Sequence, residues 1–320
     1  MRRILPQYLL LALAWGSSFF LVYLALGGLS PAQVVLARLV VGALALLLLC
    51  ALTRQRLPRQ LLAWDHLLVV GLFLCVLPFL LFAWAQQWLP SSVASILNAT
   101  TPLMTTLVTL VALRAERPNA AMLGGLRIGF AGVALVLAPW QGGGGTHPGA
   151  ALACLAGTAS YGIGMVYLRR FVSPLGLRPL PTAAVQVSLA ATLVLVLSPV
   201  LARGPVSLTA NVILSALALG VLGTGLAYAW NAAIVASWGA TAASTVTYAA
   251  PLVGVALGVL VLREPLGWHQ PLGALVVIAG ILVSQGRTPH PRRTGASPGH
   301  PGNAPRPPPA TRRWARGRQH

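Results

Sequence analysis

Apolar residues run through this chain in stretches of about twenty, and the polar residues gather in short intervals between them. A helix rises about 1.5 Å per residue, so about 20 apolar residues cross about 30 Å of hydrocarbon. Ten such stretches are readable, at residues 5–26, 33–52, 67–87, 91–113, 121–139, 149–168, 181–201, 212–234, 240–262 and 271–286. The intervals are too short for soluble insertions, so the pattern predicts an all-α polytopic membrane domain with ten transmembrane helices.

Five stretches fall in each half, and the halves resemble each other. Pro102 opens PLMTTLVTLVALRAE and Pro251 opens PLVGVALGVLVLRE. Gly125 and Gly132 follow Glu116 at the same two spacings at which Gly273 and Gly280 follow Glu264. Upstream, Ser95 matches Ser244, the pair Ala83 and Trp84 matches Ala229 and Trp230, and Val22, Tyr23 and Leu24 match Val166, Tyr167 and Leu168. Shared ancestry explains this, and a unit longer than a hundred residues suits the duplicated bundles of secondary transporters rather than a solenoid. The predicted organisation is a five-helix repeat over 1–140, a Gly-rich connector over 141–148, a second repeat over 149–286 and a tail over 287–320.

Composition excludes a soluble domain: 57% of residues are apolar, and Asp65, Glu116 and Glu264 are the only carboxylate side chains. All 22 basic residues are arginine, and their placement orients the chain. Arg2 and Arg3, then Arg54, Arg56 and Arg59, then Arg114 and Arg117, then Arg169, Arg170 and Arg178, and finally the tail, occupy alternate connections. By the positive-inside rule both termini are cytoplasmic, which places the chain in the inner or plasma membrane. Each half has an odd number of spans, so the second repeat is expected upside down, with Glu116 at the cytoplasmic face and Glu264 at the outer one.

The first twenty residues have the arginines and apolar core of a signal peptide, but they reach spanning length and have a counterpart at 149–168, so a retained span is expected. Cys50, Cys75 and Cys154 lie inside spans and read as packing residues. The tail is rich in Pro, Arg, Gly and His and is expected to be disordered. Its eight arginines suit either anionic headgroups or a solvated tail that reinforces orientation, and no nucleic-acid partner is expected. Gly125 with Gly129, Gly254 with Gly258, and the cluster Gly220, Gly223 and Gly225 have helix-packing spacing, which serves contacts inside one chain or a homodimer.

Ten spans in two inverted halves, Trp15 and Gly16 in span one, Arg38 in span two, Pro102 and Pro251 in spans four and nine, and the glutamates that close those spans resemble the drug/metabolite transporter superfamily, EamA type. The resemblance covers residues 5–286; the second copy of the Trp-Gly element is lost, with Tyr161 in its neighbourhood. It implies a cavity formed mainly by spans one, three, four, six, eight and nine, and small metabolites, often amino acids, moved by alternating access. An outward direction is expected from the same resemblance.

A polar side chain at membrane depth is unfavourable unless it faces a cavity or a partner, so such positions are the candidates. Trp15, Ser17 and Ser18 in span one and Ser160 and Tyr161 in span six are expected to line the substrate path. Asn98 and Thr101 precede Pro102, and Thr247 and Tyr248 precede Pro251. A proline frees the carbonyl four residues earlier, so these helix kinks offer Asn98 and Thr247 either to a substrate or to neighbouring hydroxyls. Arg38 suits a substrate carboxylate, a helix end or snorkelling, and Gln186 lies in its counterpart region. Trp84, Gln86, Tyr228, Trp230 and Asn231 are gate or vestibule candidates, or interfacial residues.

No Asp, Glu or His lies at the middle of a span. Facilitated diffusion or exchange is expected, or else coupling through Glu116 and Glu264 near the span ends. Catalytic residues, metal ligands and cofactors are not expected, and GGLRIG at 124–129 is inside an apolar span, so it is no phosphate loop. Asp65 beside His66 is too little for the competing class, a polytopic enzyme; a third class is a non-transporting scaffold or sensor.

Overall fold

A computed structural model describes residues 4–112, 119–141, 147–239, 243 and 245–285. The described residues belong to one compact unit and form helices and connections, with no strand among them. Eight helices are long and apolar enough to cross a membrane: α1 Leu5–Leu26, α2 Pro31–Leu52, α3 Leu62–Ala85, α4 Ser91–Ala112, α5 Ala120–Leu137, α6 Pro148–Leu175, α7 Pro179–Leu201 and α8 Ala210–Trp238. Two shorter apolar helices follow, α9 Val246–Leu260 and α10 His269–Gln285. Glu116, Arg114, Arg117, Ser244, most of the connector and the tail lie outside the described residues.

Local chemistry sets the helix ends. Ser30 and Gln33 form a reciprocal capping box that opens α2 beside Pro31. Asn119 caps α5 and Thr209 caps α8, each accepting from a backbone N–H of the first turn. Most ends of the sequence-read stretches fall within four residues of these boundaries; the start of α3, the end of α6 and the start of α9 differ by five to seven.

The helices are not uniform. α4 stops at Asn98 and restarts at Thr101, so Pro102 sits in the first turn of a new segment rather than bending an unbroken helix. Proline is tolerated there because first-turn N–H groups have no helical partner. Pro251 lies inside α9. Three spans contain a widened π turn: Leu72–Val76 in α3, Leu168–Val172 in α6 and Val221–Leu226 in α8.

Packing pairs α1 with α8 and α9, α6 with α3 and α4, α2 with α7 and α8, α7 with α3, α4 with α9, and α5 with α10. The backbones of α5 and α10 approach closely at their glycines. A Cβ on Gly125 would stand 2.5 Å from the Gly280 carbonyl oxygen, and one on Gly132 would stand 2.9 Å from that of Gly273. The glycines that the repeat aligns therefore face one another. Gly42 of α2 abuts Thr224, and Gly220 abuts Val41, which brings α2 onto α8. Lipid tails supply no hydrophobic drive between helices, so close backbone approach is what holds such pairs.

Candidate functional site

Between the helices lies a cavity of about 510 Å³, within the range that encloses small molecules. One end reaches exposed Ser173 and Pro179, between α6 and α7, and Val235 of α8. The other end is closed by buried Phe82, Ala83 and Gln86 of α3. All three π turns contribute to the wall, through Leu74, through Leu168 and Val172, and through Gly223. A π turn changes which side chains and carbonyls face inward from that point on, a feature frequent at functional sites.

Arg38 is the cation of this wall and is only 8% exposed. Its Nε donates to Thr224 Oγ1 at 3.1 Å and its Nη2 to the Gly223 carbonyl oxygen at 3.4 Å. The Thr224 hydroxyl in turn donates to the Leu219 carbonyl, so the π turn of α8 is the socket of the guanidinium. The guanidinium lies over the Phe79 ring, 3.8 Å from its centroid. It is held in the bundle interior and does not snorkel to an aqueous end. A guanidinium has five N–H donors, and two are used here, so its fork retains donors for an anion.

Trp15, Asn98, Thr101, Tyr161, Gln186 and Thr247 line the same cavity. Thr101 Oγ1 donates to the Asn98 carbonyl at 2.8 Å, so the carbonyl freed by Pro102 is satisfied by a neighbouring hydroxyl. Gln186 Nε2 donates to Cys75 Sγ at 3.4 Å, and Cys75 Sγ meets the Tyr228 hydroxyl at 3.4 Å. Cys75 is thus a polar contact as well as a packing residue; all three cysteines are free and buried.

Other sequence-read positions fall elsewhere. Ser17 binds the Ala14 carbonyl and is off the wall; its neighbour Ser18 lines the cavity instead. Ser160 is also off the wall, its hydroxyl donating to the Phe73 carbonyl of α3 at 2.8 Å. Tyr248 donates to Gln285 Oε1 at 2.7 Å and bridges α9 to α10. Trp230 packs with Trp15 in an apolar cluster of α1, α8 and α9. Trp84 is 41% exposed on the outside of the bundle, whereas Gln86, Tyr228 and Asn231 line the central cavity rather than a separate vestibule.

Glu264 lies away from the cavity. Its Oε1 accepts from Ser91 N–H at 2.7 Å and its Oε2 from Ser92 N–H at 2.9 Å. The carboxylate from the connection after α9 therefore caps α4, where unpaired N–H groups and the helix dipole favour a negative charge. Glu116, its counterpart, is among the residues not described. The residues most clearly missed by sequence reasoning are Phe79 and Thr224. Thr224 carries a usable signal, a hydroxyl between two glycines deep in a span.

The model of a family described as the EamA-like transporter family matches twice, over residues 4–138 and 148–285. The chain is 27% identical over 306 residues to the uncharacterized inner membrane transporter YedA of Escherichia coli strain K12, spanning 93% of this chain and 96% of that one. It is 26% identical over 275 residues to the uncharacterized transporter YdfC of Bacillus subtilis strain 168, spanning 83% and 86%. A solved crystal structure covers 89% of this chain and 97% of its own, with a TM-score of 0.63 at 19% identity, a likeness of fold alone.

Proposed function

The chain belongs to the EamA-like transporter family, a multi-pass membrane protein and not an enzyme, and from that premise we propose that it carries a small carboxylate-bearing metabolite through its central cavity by alternating access. The observation that carries the substrate class is Arg38: a socketed guanidinium with free donors in a cavity whose lining holds no Asp, Glu or His among the described residues. An unmatched positive charge in low dielectric favours an anionic or zwitterionic solute, amino acids and related amphipathic acids among them.

Ten spans in two inverted five-helix repeats are part of this reading. What supports them is that the packing is preserved when the halves are exchanged. The α1 pairs with α8 and α9 become the α6 pairs with α3 and α4, the α2–α8 pair becomes α7–α3, and α2–α7, α4–α9 and α5–α10 map onto themselves. The orientation is the one the arginines favour, with both termini cytoplasmic in the inner membrane and Arg169, Arg170 and Arg178 inside. The open rim at Ser173 and Pro179 then faces the cytoplasm, so this conformation is ready to load from inside, in keeping with outward transport.

Coupling to protons is not part of the reading. Both oxygens of Glu264 are occupied by backbone donors in a helix cap. In proteoliposomes, labelled amino and carboxylic acids are expected to exchange across the membrane while neutral sugars and amines do not. The rate is expected to be the same with and without a pH gradient, in the native protein and in Glu264→Gln. Flux driven by the gradient overturns the uncoupled mechanism, and flux of none of the solutes returns the bundle to a scaffold or sensor.

A further inference from the structure

The closed end of the cavity holds a polar group without a partner. Gln86 is 5% exposed, and neither its Oε1 nor its Nε2 has a hydrogen-bond partner among the described residues. Its side chain belongs to the cavity wall. A buried carboxamide left unpaired loses the hydrogen bonds it makes in water, and natural interiors rarely leave one so. A group entering the cavity can complete it once the Gln86 side chain turns toward it.

The surroundings limit what that group is attached to. Phe79, Phe82 and Gln86 recur at helical spacing along α3, so they share one face. Seven residues separate Phe79, under the Arg38 guanidinium, from Gln86, a rise of about 10 Å. Between the two poles the wall is aromatic. Phe19 meets Phe82 edge to face at 5.4 Å, and Phe82 lies near-parallel to Tyr161 at 6.4 Å. The two ends differ in chemistry: a cation at one, and at the other a neutral amide that offers a donor and an acceptor side by side.

Building on the carboxylate reading of Arg38, we infer that Gln86 is a specificity-determining residue, and that the preferred solute is a flat, ring-sized anion with an uncharged donor–acceptor group, such as an amide or lactam edge, opposite its carboxylate. The acid end pairs with Arg38, the ring lies along Phe82, and the amide edge closes both orphaned atoms of Gln86. A short aliphatic acid reaches only one pole. A solute with a purely apolar far end leaves Gln86 unpaired, and sites built to hydrogen-bond a group reject analogues lacking it far more strongly than sites that merely enclose it.

The test uses the purified full chain in lipid nanodiscs and two acids of matched shape, 4-carbamoylphenylacetate and 4-isopropylphenylacetate. The native protein is expected to bind the carbamoyl acid at least about tenfold more tightly, since one net hydrogen bond is worth about fivefold and two are formed. In Gln86→Leu the two acids are expected to bind alike, whereas Arg38→Gln weakens both by a similar factor. Gln86→Met serves as a second variant, and without ligand its apparent Tm is expected at or above that of the native protein, because an unpaired buried amide has been removed. Equal affinities in the native protein, or a preference that survives in Gln86→Leu and Gln86→Met, overturn the inference and leave the carboxylate reading intact. If neither acid binds the native protein, the carboxylate reading itself fails, and neutral 4-methylbenzamide decides for Gln86. Binding that requires Gln86 upholds its role, and absence of such binding ends it.

Discussion

Gly280→Ala is expected to lower the apparent Tm by several degrees and Gly280→Val to prevent recovery of folded protein, whereas Gly124→Ala, on the facing helix, changes neither. A Cβ at Gly280 would stand 2.4 Å from Gly129 N, 2.6 Å from Gly129 Cα and 2.7 Å from the Gly125 carbonyl oxygen. All three are backbone atoms, so no side-chain rotation relieves the contact and α5 and α10 must separate. Overpacking of this kind costs about 1–3 kcal/mol, and in a chain of this size 1 kcal/mol moves Tm by about 1.5–2 °C. A Cβ on Gly124 meets nothing within 4 Å. Thermal unfolding in detergent, followed with a thiol-reactive dye that reports exposure of Cys50, Cys75 and Cys154, separates the variants. A Gly280→Ala protein as stable as Gly124→Ala would show that α5 and α10 do not pack through their glycines.

Arg38→Gln is expected to reduce exchange of carboxylate solutes about 100-fold while the protein stays folded. The glutamine amide nitrogen stands about where the arginine Nε does, so the donor to Thr224 is kept while the charge and the bond to Gly223 are lost. Truncating one partner of a buried charged pair costs about 2–5 kcal/mol, and 1.4 kcal/mol is a factor of ten. Arg38→Lys keeps the charge as a single point without the planar fork, and an intermediate rate is expected. Initial rates of counterflow, normalised to folded protein, check both. Unchanged rates in Arg38→Gln would return the arginine to a purely structural role.

Much of the fold is legible in the chain because a bilayer allows few solutions. The run of apolar residues gives each span, the short polar intervals give the ends, and the glycines after Glu116 and Glu264 mark two helices that meet. The site is legible only to the nearest residue or two. Successive helical positions differ by about 100°, which is why Ser17 and Ser18, read together, part company at the cavity wall and why Trp84 and Gln86 face different surroundings. In a uniformly apolar span no polar stripe fixes the rotation, and a π turn shifts it further without leaving a mark in composition. The π turns of α3, α6 and α8 all precede cavity residues, so the sequence names the spans of the site better than its side chains. Arg38 is the opposite case, a charge so out of place in α2 that its exception to the pattern marks it as a candidate.

The most direct test is the accessibility of a cysteine placed at Ser18, on the cavity wall of α1, to membrane-impermeant thiol reagents applied to either side of sealed proteoliposomes. Cys50, Cys75 and Cys154 are buried, which keeps the background low. An alternating-access transporter predicts labelling of Ser18→Cys from both sides during exchange, and protection when a transported carboxylate is in excess. A cysteine that reacts from neither side, with or without solute, would mean a dry bundle and would contradict transport through this cavity.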